Sequence, residues 1–212
     1  MRSLTSSIRE ARTDEEKLAI FRFRYEIYIE EMGKPYPNAD HAGKLLTDEL
    51  DSIATLLYYE KDGEIHGTLR VNWGTDNLAF AAFDNPNFEL TRFDRFDRKA
   101  FSFNSRFIIS PKFRNSRVGL DLAKRSYQLG LERRVLFNFI NCKTNLVKYF
   151  ERFGFRQYKD VFLDEIIGEQ APMIFLLEDQ EYLRQIRSPV LERTHNDGDS
   201  TISNKFEATF FI

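Results

Sequence analysis

Phe101-Ser-Phe-Asn-Ser-Arg-Phe-Ile-Ile-Ser110, Pro111-Lys-Phe-Arg-Asn-Ser-Arg-Val-Gly119 and Val135-Leu-Phe-Asn-Phe-Ile140 decide the fold. The first run is apolar and aromatic at alternate positions and predicts a strand. The second is a short basic loop. A helix is expected from about Gly119 to Arg134, followed by a buried strand over 135–140. A second helix, Leu146 to Phe153, stops at Gly154 before Phe155. A basic loop that opens a helix points backbone N–H groups and the positive helix end at an anion. The unit from Phe101 to Tyr158 is therefore strand, anion loop, helix, strand, helix.

Upstream, Thr13 and Glu16 form a capping box before Leu18, Phe21, Tyr25, Tyr28, Ile29 and Met32, which predicts a helix over 14–31 ended by Gly33. Residues 34–47 carry Pro35, Pro37, Asn38, Asp40 and Gly43 and read as a loop. Two strands, Ser52 to Glu60 and Glu64 to Trp73, are joined by a turn at Lys61-Asp62-Gly63. Residues 74–98 show little periodicity and read as a mobile segment with one helical turn. Downstream, strands are expected at Val161 to Leu163 and Pro172 to Leu177, and a helix at Asp179 to Ile186, broken by Ser188-Pro189. The order predicts an α/β fold with a central, mostly antiparallel sheet flanked by helices. A single domain over 1–190 is expected, with a polar, partly mobile tail over 191–212 that turns apolar from Phe206.

The 212 residues suffice for one substantial core, and the net charge of −2 argues against a nucleic-acid-binding protein. Basic residues cluster locally instead, at Lys112, Arg114 and Arg117, then Lys124, Arg125, Arg133 and Arg134. One cysteine excludes an intrachain disulfide and favours a reducing compartment. No signal peptide or membrane-spanning run is visible, so a soluble cytoplasmic protein is expected. No metal site is expected. The 21 Phe suit either a packed aromatic core or an acyl tunnel. Cys142 reads as following a strand and His66 as a strand surface residue.

The loop resembles the pyrophosphate loop of the Gcn5-related N-acyltransferases (GNAT), Arg/Gln-x-x-Gly-x-Gly, with Arg114 and Gly119 at its first and last positions. Arg117 replaces the middle Gly. A further series is similar to the acyl-homoserine lactone synthases and the related N-acyl amino acid synthases. It consists of the Arg24-x-x-x-Tyr28 helix, the Asp48-x-x-Asp51 turn, the Gly67-x-x-Arg70 strand and Ser105-Arg106-Phe107. The segment Cys142 to Phe155 resembles the end of the acyltransferase core. Two positions depart from the pattern. Phe103 stands where lactone synthases carry Glu, which argues against S-adenosylmethionine as acceptor. Phe150 stands where acyltransferases carry the Tyr that protonates the departing thiolate, with Tyr149 beside it.

The resemblance implies direct attack of an amine on a thioester, with no tightly bound cofactor. Backbone N–H groups near Ile108 and Ile109 would stabilise the oxyanion, and Tyr149 or water would protonate the thiolate. Lys112, Arg114, Asn115, Ser116, Arg117 and Gly119 would hold the donor phosphate. A bulky Arg117 suits the single phosphate of an acyl carrier protein's phosphopantetheine better than the pyrophosphate of acyl-CoA. The neighbouring basic residues would then dock an acidic carrier. Arg24, Arg70 and Arg106, with Tyr28, Asp48, Asp51 and Ser105, would bind the carboxylate of an amino acid or peptide acceptor, or form an Arg–Asp network that fixes the fold. Glu26, Glu30, Asp48 and His66 are candidate bases, and an acyl-Cys142 intermediate is a minor route. The alternatives are a lactone synthase, an acetyl-CoA-dependent acetyltransferase and a non-catalytic carrier-binding module.

Overall fold

In the computed structural model, residues 8–191 are described. The proposed tail falls almost wholly outside them. Two compact units divide the chain, which passes from one to the other after Asn72, Phe103 and Ser126.

Unit 1 comprises residues 1–72 and 104–126. It opens with β1 (Ile8–Glu10) and α1 (Asp14–Tyr25). The capping box forms as the sequence implies: Glu16 N–H donates to Thr13 Oγ1 at 3.2 Å, and Thr13 N–H donates to Glu16 Oε2 at 3.0 Å. Glu16 also accepts from Arg12 N–H and Tyr58 Oη, and these donors hold its carboxyl down at about 2. The helix runs on as a π-helical segment, Glu26–Glu31, in which Met32 N–H reaches back to Ile27 O at 3.0 Å. Such segments are rare and recur at functional sites. Gly33 leaves it with φ +61°.

The expected loop over 34–47 contains a small ribbon of β2 (Ala39–Asp40) and β3 (Leu45–Leu46), followed by a 3-10 turn at Glu49–Ser52. Next come β4 (Thr55–Lys61) and β5 (Glu64–Trp73), close to the expected bounds. The unit's core joins α1 to the sheet through Ile20, Leu56 and Tyr58, and through Phe23, Ile27 and Ile108.

Unit 2 comprises residues 73–103 and 127–212. The stretch 74–98 is more ordered than its sequence suggests. It forms α2 (Asn77–Phe83) and a 3-10 turn at Leu90–Phe93, before another at Arg98–Ala100. Its aromatic residues explain why: Phe88 and Phe93 pack with Phe101, Phe103, Phe137, Phe139 and Tyr158 in one cluster. Phe103 is fully buried and stacks on Phe83 at 4.2 Å. These rings fill the core, so packing explains the Phe content here.

The strand β6 (Phe101–Ile109) leads to α3 (Val118–Glu132), and β7 (Phe137–Lys143) is longer than expected and contains Cys142. The remaining elements are α4 (Val147–Glu151), β8 (Arg156–Gln157), β9 (Phe162–Asp164), β10 (Gly168–Leu176) and α5 (Gln180–Gln185). Pairing with β10 from Lys143↔Gln170 to Phe137↔Leu176 carries β7 past its apolar run.

The strands follow the order β1-β4-β5-β6-β7-β10-β8, with β9 against β10. The pairings of β1 with β4, β4 with β5, β7 with β10, and β10 with β8 and β9 are antiparallel, whereas β6 runs parallel to β7. This is the mixed α/β arrangement, a mostly antiparallel sheet flanked by helices, that the element order implies. Among the described residues no helix is long and apolar enough to cross a membrane.

Gly154 ends the α4 turn with φ +120°, and a Cβ there would lie 2.3 Å from Leu183 Cδ2 and 3.0 Å from the Phe175 ring. Gly154→Ala should therefore cost about 1–3 kcal/mol through backbone strain and overpacking. The midpoint of urea unfolding checks this, and an unchanged midpoint contradicts it.

Candidate functional site

Six of the seven expected acceptor-side residues form one hydrogen-bonded cluster in unit 1, and the seventh lies against it. Asp48 and Asp51 cap the 3-10 turn reciprocally: Leu50 N–H donates to Asp48 Oδ1 at 3.1 Å, and Asp48 N–H donates to Asp51 Oδ2 at 2.9 Å. Thr47 Oγ1 donates to Asp51 Oδ2 at 3.0 Å. Three guanidinium groups converge on these carboxylates. Arg24 from α1 donates to Asp51 at 2.7 Å. Arg70 from β5 bonds both Asp48 and Asp51, and its Nε donates to Ser105 Oγ at 2.9 Å. Arg106 from β6 donates to Asp48 Oδ2 at 2.8 Å. Its guanidinium also lies over the rings of Tyr28, 5.5 Å away, and Tyr36, 4.8 Å away.

Exposure grades through the cluster. The Arg24 side chain is 0 % exposed, Arg70 5 %, Arg106 13 % and Asp48 23 %. Arg24 and Arg70 thus form the floor and fix α1 and β5 to the turn. Arg24 is enclosed, so the acceptor role expected of it gives way to the fold-fixing one. Among the described residues its Nε and Nη2 have no hydrogen-bond partner, and the Phe21 ring centroid lies 5.5 Å from the guanidinium carbon. The open edge is Arg106 and Asp48, with the half-buried Tyr28 and the buried Tyr36 beside them.

Burial pushes Asp48 and Asp51 up, but their arginine partners outweigh it, and both carboxyls lie below the usual range. Burial lowers Arg24, with Asp51 opposing. For Arg106 the pull of burial is overcome by Tyr28, Tyr36 and Asp48, and the net shift is upward.

Arg106 adopts φ +53° inside β6. A left-handed non-glycine residue is uncommon inside a strand and breaks its regular alternation. Thr68 Oγ1 donates to Arg106 O at 3.2 Å, and so secures the backbone that the turn displaces. Beyond it come Ile108, which packs into the unit 1 core, and Ile109, whose carbonyl accepts from Arg114 Nε at 3.2 Å. The proposed oxyanion N–H groups therefore follow this left-handed residue, and the Ile109 carbonyl is tied to the loop.

His66 differs from expectation: it is buried and anchors this loop. Its ring stacks on Phe113 at 4.3 Å, its Nδ1 is 3.4 Å from Ser110 Oγ, and Ser110 N–H donates to His66 O at 2.9 Å. Tyr59 closes on Phe113 from 5.7 Å, and Lys112 lies 5.9 Å from the same ring. Ser116 Oγ accepts from Val118 N–H at 3.2 Å and donates to Phe113 O at 2.7 Å. It shapes the helix entry, so its hydroxyl proton is already engaged. Arg114, Asn115 and Arg117 are exposed, and Gly119 is buried at the helix start. Arg114 Nη2 reaches Glu31 Oε1 at 2.5 Å.

Tyr149 belongs to unit 2, where it packs edge-on against Phe150 and Phe153 at 5.4 and 4.9 Å. Burial raises its phenol, so it is held protonated. Cys142 is buried inside β7, 3.4 Å from Met173 Sδ, and burial pushes its thiol up to about 12. That removes the thiolate a covalent route requires, and the acyl-Cys reading is corrected accordingly.

Tyr36, His66, Thr68 and Glu31 are the residues whose parts the sequence did not disclose. Tyr36 lies between two prolines and carries no periodic signal. The others act through contacts distant in sequence.

Residues 23–124 match the model of the acetyltransferase (GNAT) domain. Solved structures share the fold at low identity. An acyl-CoA N-acyltransferase from Pseudomonas aeruginosa is 19 % identical with a TM-score of 0.56, over 79 % of this chain and 97 % of that one. The CoA-dependent acyl-homoserine lactone synthase BjaI, with S-adenosylmethionine and isopentyl-CoA, is 15 % identical with a TM-score of 0.62, over 87 % and 90 %. The lactone synthase LasI is 13 % identical with a TM-score of 0.63, over 88 % and 98 %. No curated protein matches the sequence.

The folded-state carboxyls of Asp48 and Asp51 lie below their unfolded values, so the stability they add is present above about pH 4 and is lost as pH falls through the folded values. Asp51→Ala should cost about 3–5 kcal/mol at neutral pH, because it leaves Arg24 charged and enclosed. It should also flatten the acid limb of stability. Urea unfolding measured from pH 2 to 7 reads both, and an acid limb identical to wild type contradicts the assignment.

Proposed function

The chain carries a GNAT acyltransferase domain, and from that premise we propose that it transfers a medium or long fatty acyl group from an acyl carrier protein thioester to the primary amine of an amino acid or peptide. The observation that carries the acceptor half is the partly exposed Arg106–Asp48 pair, flanked by Tyr28 and Tyr36. A guanidinium beside a carboxylate complements a zwitterion: Arg106 takes the acceptor's carboxylate and Asp48 its ammonium group. Ser105 and Arg70 hold that pair from behind.

The donor half rests on the loop. Arg114, Asn115, Arg117 and Lys112 supply positive charge and donors, and Gly119 opens α3. Arg117 at the middle position favours one phosphate over a pyrophosphate. Lys124 and Arg125, next along α3, suit an acidic carrier protein. Donor and acceptor residues alike come from unit 1, a soluble single-domain enzyme of the cytoplasm being the setting that suits a carrier-borne acyl chain.

In the reaction the ammonium first loses a proton to water. The neutral amine attacks the thioester carbonyl and forms the C–N bond. N–H groups at Ile108 and Ile109 stabilise the oxyanion. Collapse breaks the C–S bond, the nitrogen gives up its second proton to water, and the thiolate takes a proton from water.

Phe103 supports the amide product over the lactone. Its place is fully buried among rings, where a Glu carboxylate would be stranded without water. A second reading, with acyl-CoA as donor, is favoured by the Pseudomonas and BjaI proteins, whose names include CoA.

The test is to incubate the protein with long-chain acyl carrier protein and a pool of amino acids, following free thiol and product mass. Amine-dependent thiol release with an acyl-amide mass is expected. Release of methylthioadenosine when S-adenosylmethionine is added would replace this reading with the lactone one. Arg114→Ala should raise the donor KM about 10- to 100-fold, the loss of a charged hydrogen bond, with the fold intact. A folded variant with an unaltered donor KM removes the loop assignment.

A further inference from the structure

Glu31 meets the donor loop from the end of the π-helical segment. Its Oε1 accepts from Arg114 Nη2 at 2.5 Å, while Arg114 Nε is held by Ile109 O at 3.2 Å. Both partners remain accessible, with the Arg114 side chain 43 % and the Glu31 side chain 31 % exposed. The guanidinium that opens the loop therefore already has an anion on it, and that anion is covalently part of the chain. Carboxylates and phosphate oxygens use the same guanidinium edge with the same bidentate geometry.

We propose that Glu31 is an internal competitor for Arg114: a donor phosphate gains this arginine only by displacing the Glu31 carboxylate, and Glu31 thereby sets donor affinity. The inference rests on the phosphate-binding reading of the loop, but not on which donor or acceptor the enzyme uses. An exposed pair of this kind is weak, so displacement is easy. The contact lowers affinity without blocking the loop, and it covers Arg114 whenever the donor is absent. It also explains why a residue on the helix that bears Tyr28 touches a loop 83 positions away in sequence.

The experiment compares wild type, Glu31→Gln, Arg114→Ala and the double variant. CoA and 4′-phosphopantetheine binding are read by calorimetry, and donor KM and kcat by thiol release. Glu31→Ala serves as a second substitution should the amide rearrange the loop. Glu31→Gln is expected to tighten binding of both probes about two- to fivefold, the scale of an exposed ion pair, and to lower KM with little change in kcat. In the Arg114→Ala background the same substitution should have no effect. Weaker binding in both Glu31 variants would overturn the inference, since Glu31 would then be holding Arg114 in place for the donor. Tightening that persists without Arg114 would overturn it too, pointing to general repulsion. Altered CoA affinity with no acyl transfer from any donor would leave the inference standing and remove the proposed reaction.

Discussion

Unit 1 depends on two carboxylates three residues apart. Asp48 and Asp51 cap one another's turn and then receive guanidinium groups from α1, β5 and β6. Each of these charges would be costly to bury alone, and none is alone. The cluster holds three cations and two anions, so its surplus charge is positive. It is fully enclosed at Arg24 and partly open at Arg106. Arg24 and Arg70 are thus enclosed and tie α1 and β5 to the turn, whereas Arg106 keeps part of its side chain exposed.

Arg106 also governs the rest of its strand. Its left-handed backbone breaks the regular alternation of β6, with Thr68 securing its carbonyl and Asp48 its side chain. Without the Asp48 anchor, a non-glycine residue would have little reason to hold φ +53° within a strand. The strand then delivers Ile108 into the core and Ile109 to Arg114, and Ser110 is tied to His66. One strand consequently sets Arg106, Ile108 and Ile109 and the start of the basic loop, all within unit 1.

Local signals in the sequence carried most of this architecture. Apolar alternation located β4, β5 and β6, the Thr13/Glu16 capping box located α1, and the resemblance to the lactone synthases singled out the residues of the cluster. The hidden part was long-range. Arg106 meets Asp48 across 58 positions, and Ser110 meets His66 across 44. The burial of His66 comes from stacking on Phe113, which no periodic pattern encodes. The polar end of β7 lacks strand propensity and is strand because β10 pairs with it through Lys143. Residues 74–98 lack periodicity because their order comes from aromatic rings docking in a core built by other elements.

That aromatic core bears on the reaction as well. Phe103 stacks against Phe83 at 4.2 Å and Phe139 at 5.7 Å, and Phe88 meets Phe103 and Phe139 edge-on at 6.1 and 6.4 Å. Close-packed rings of this kind resist a charge and leave no slack for a side chain of another shape. By resemblance, a lactone synthase carries Glu at this position. In this chain that place is part of an apolar core, and an acid there would require its neighbours to be rebuilt. The substitution is therefore a commitment of the whole cluster. It leaves Arg106, bonded to Asp48, as the charged residue of β6.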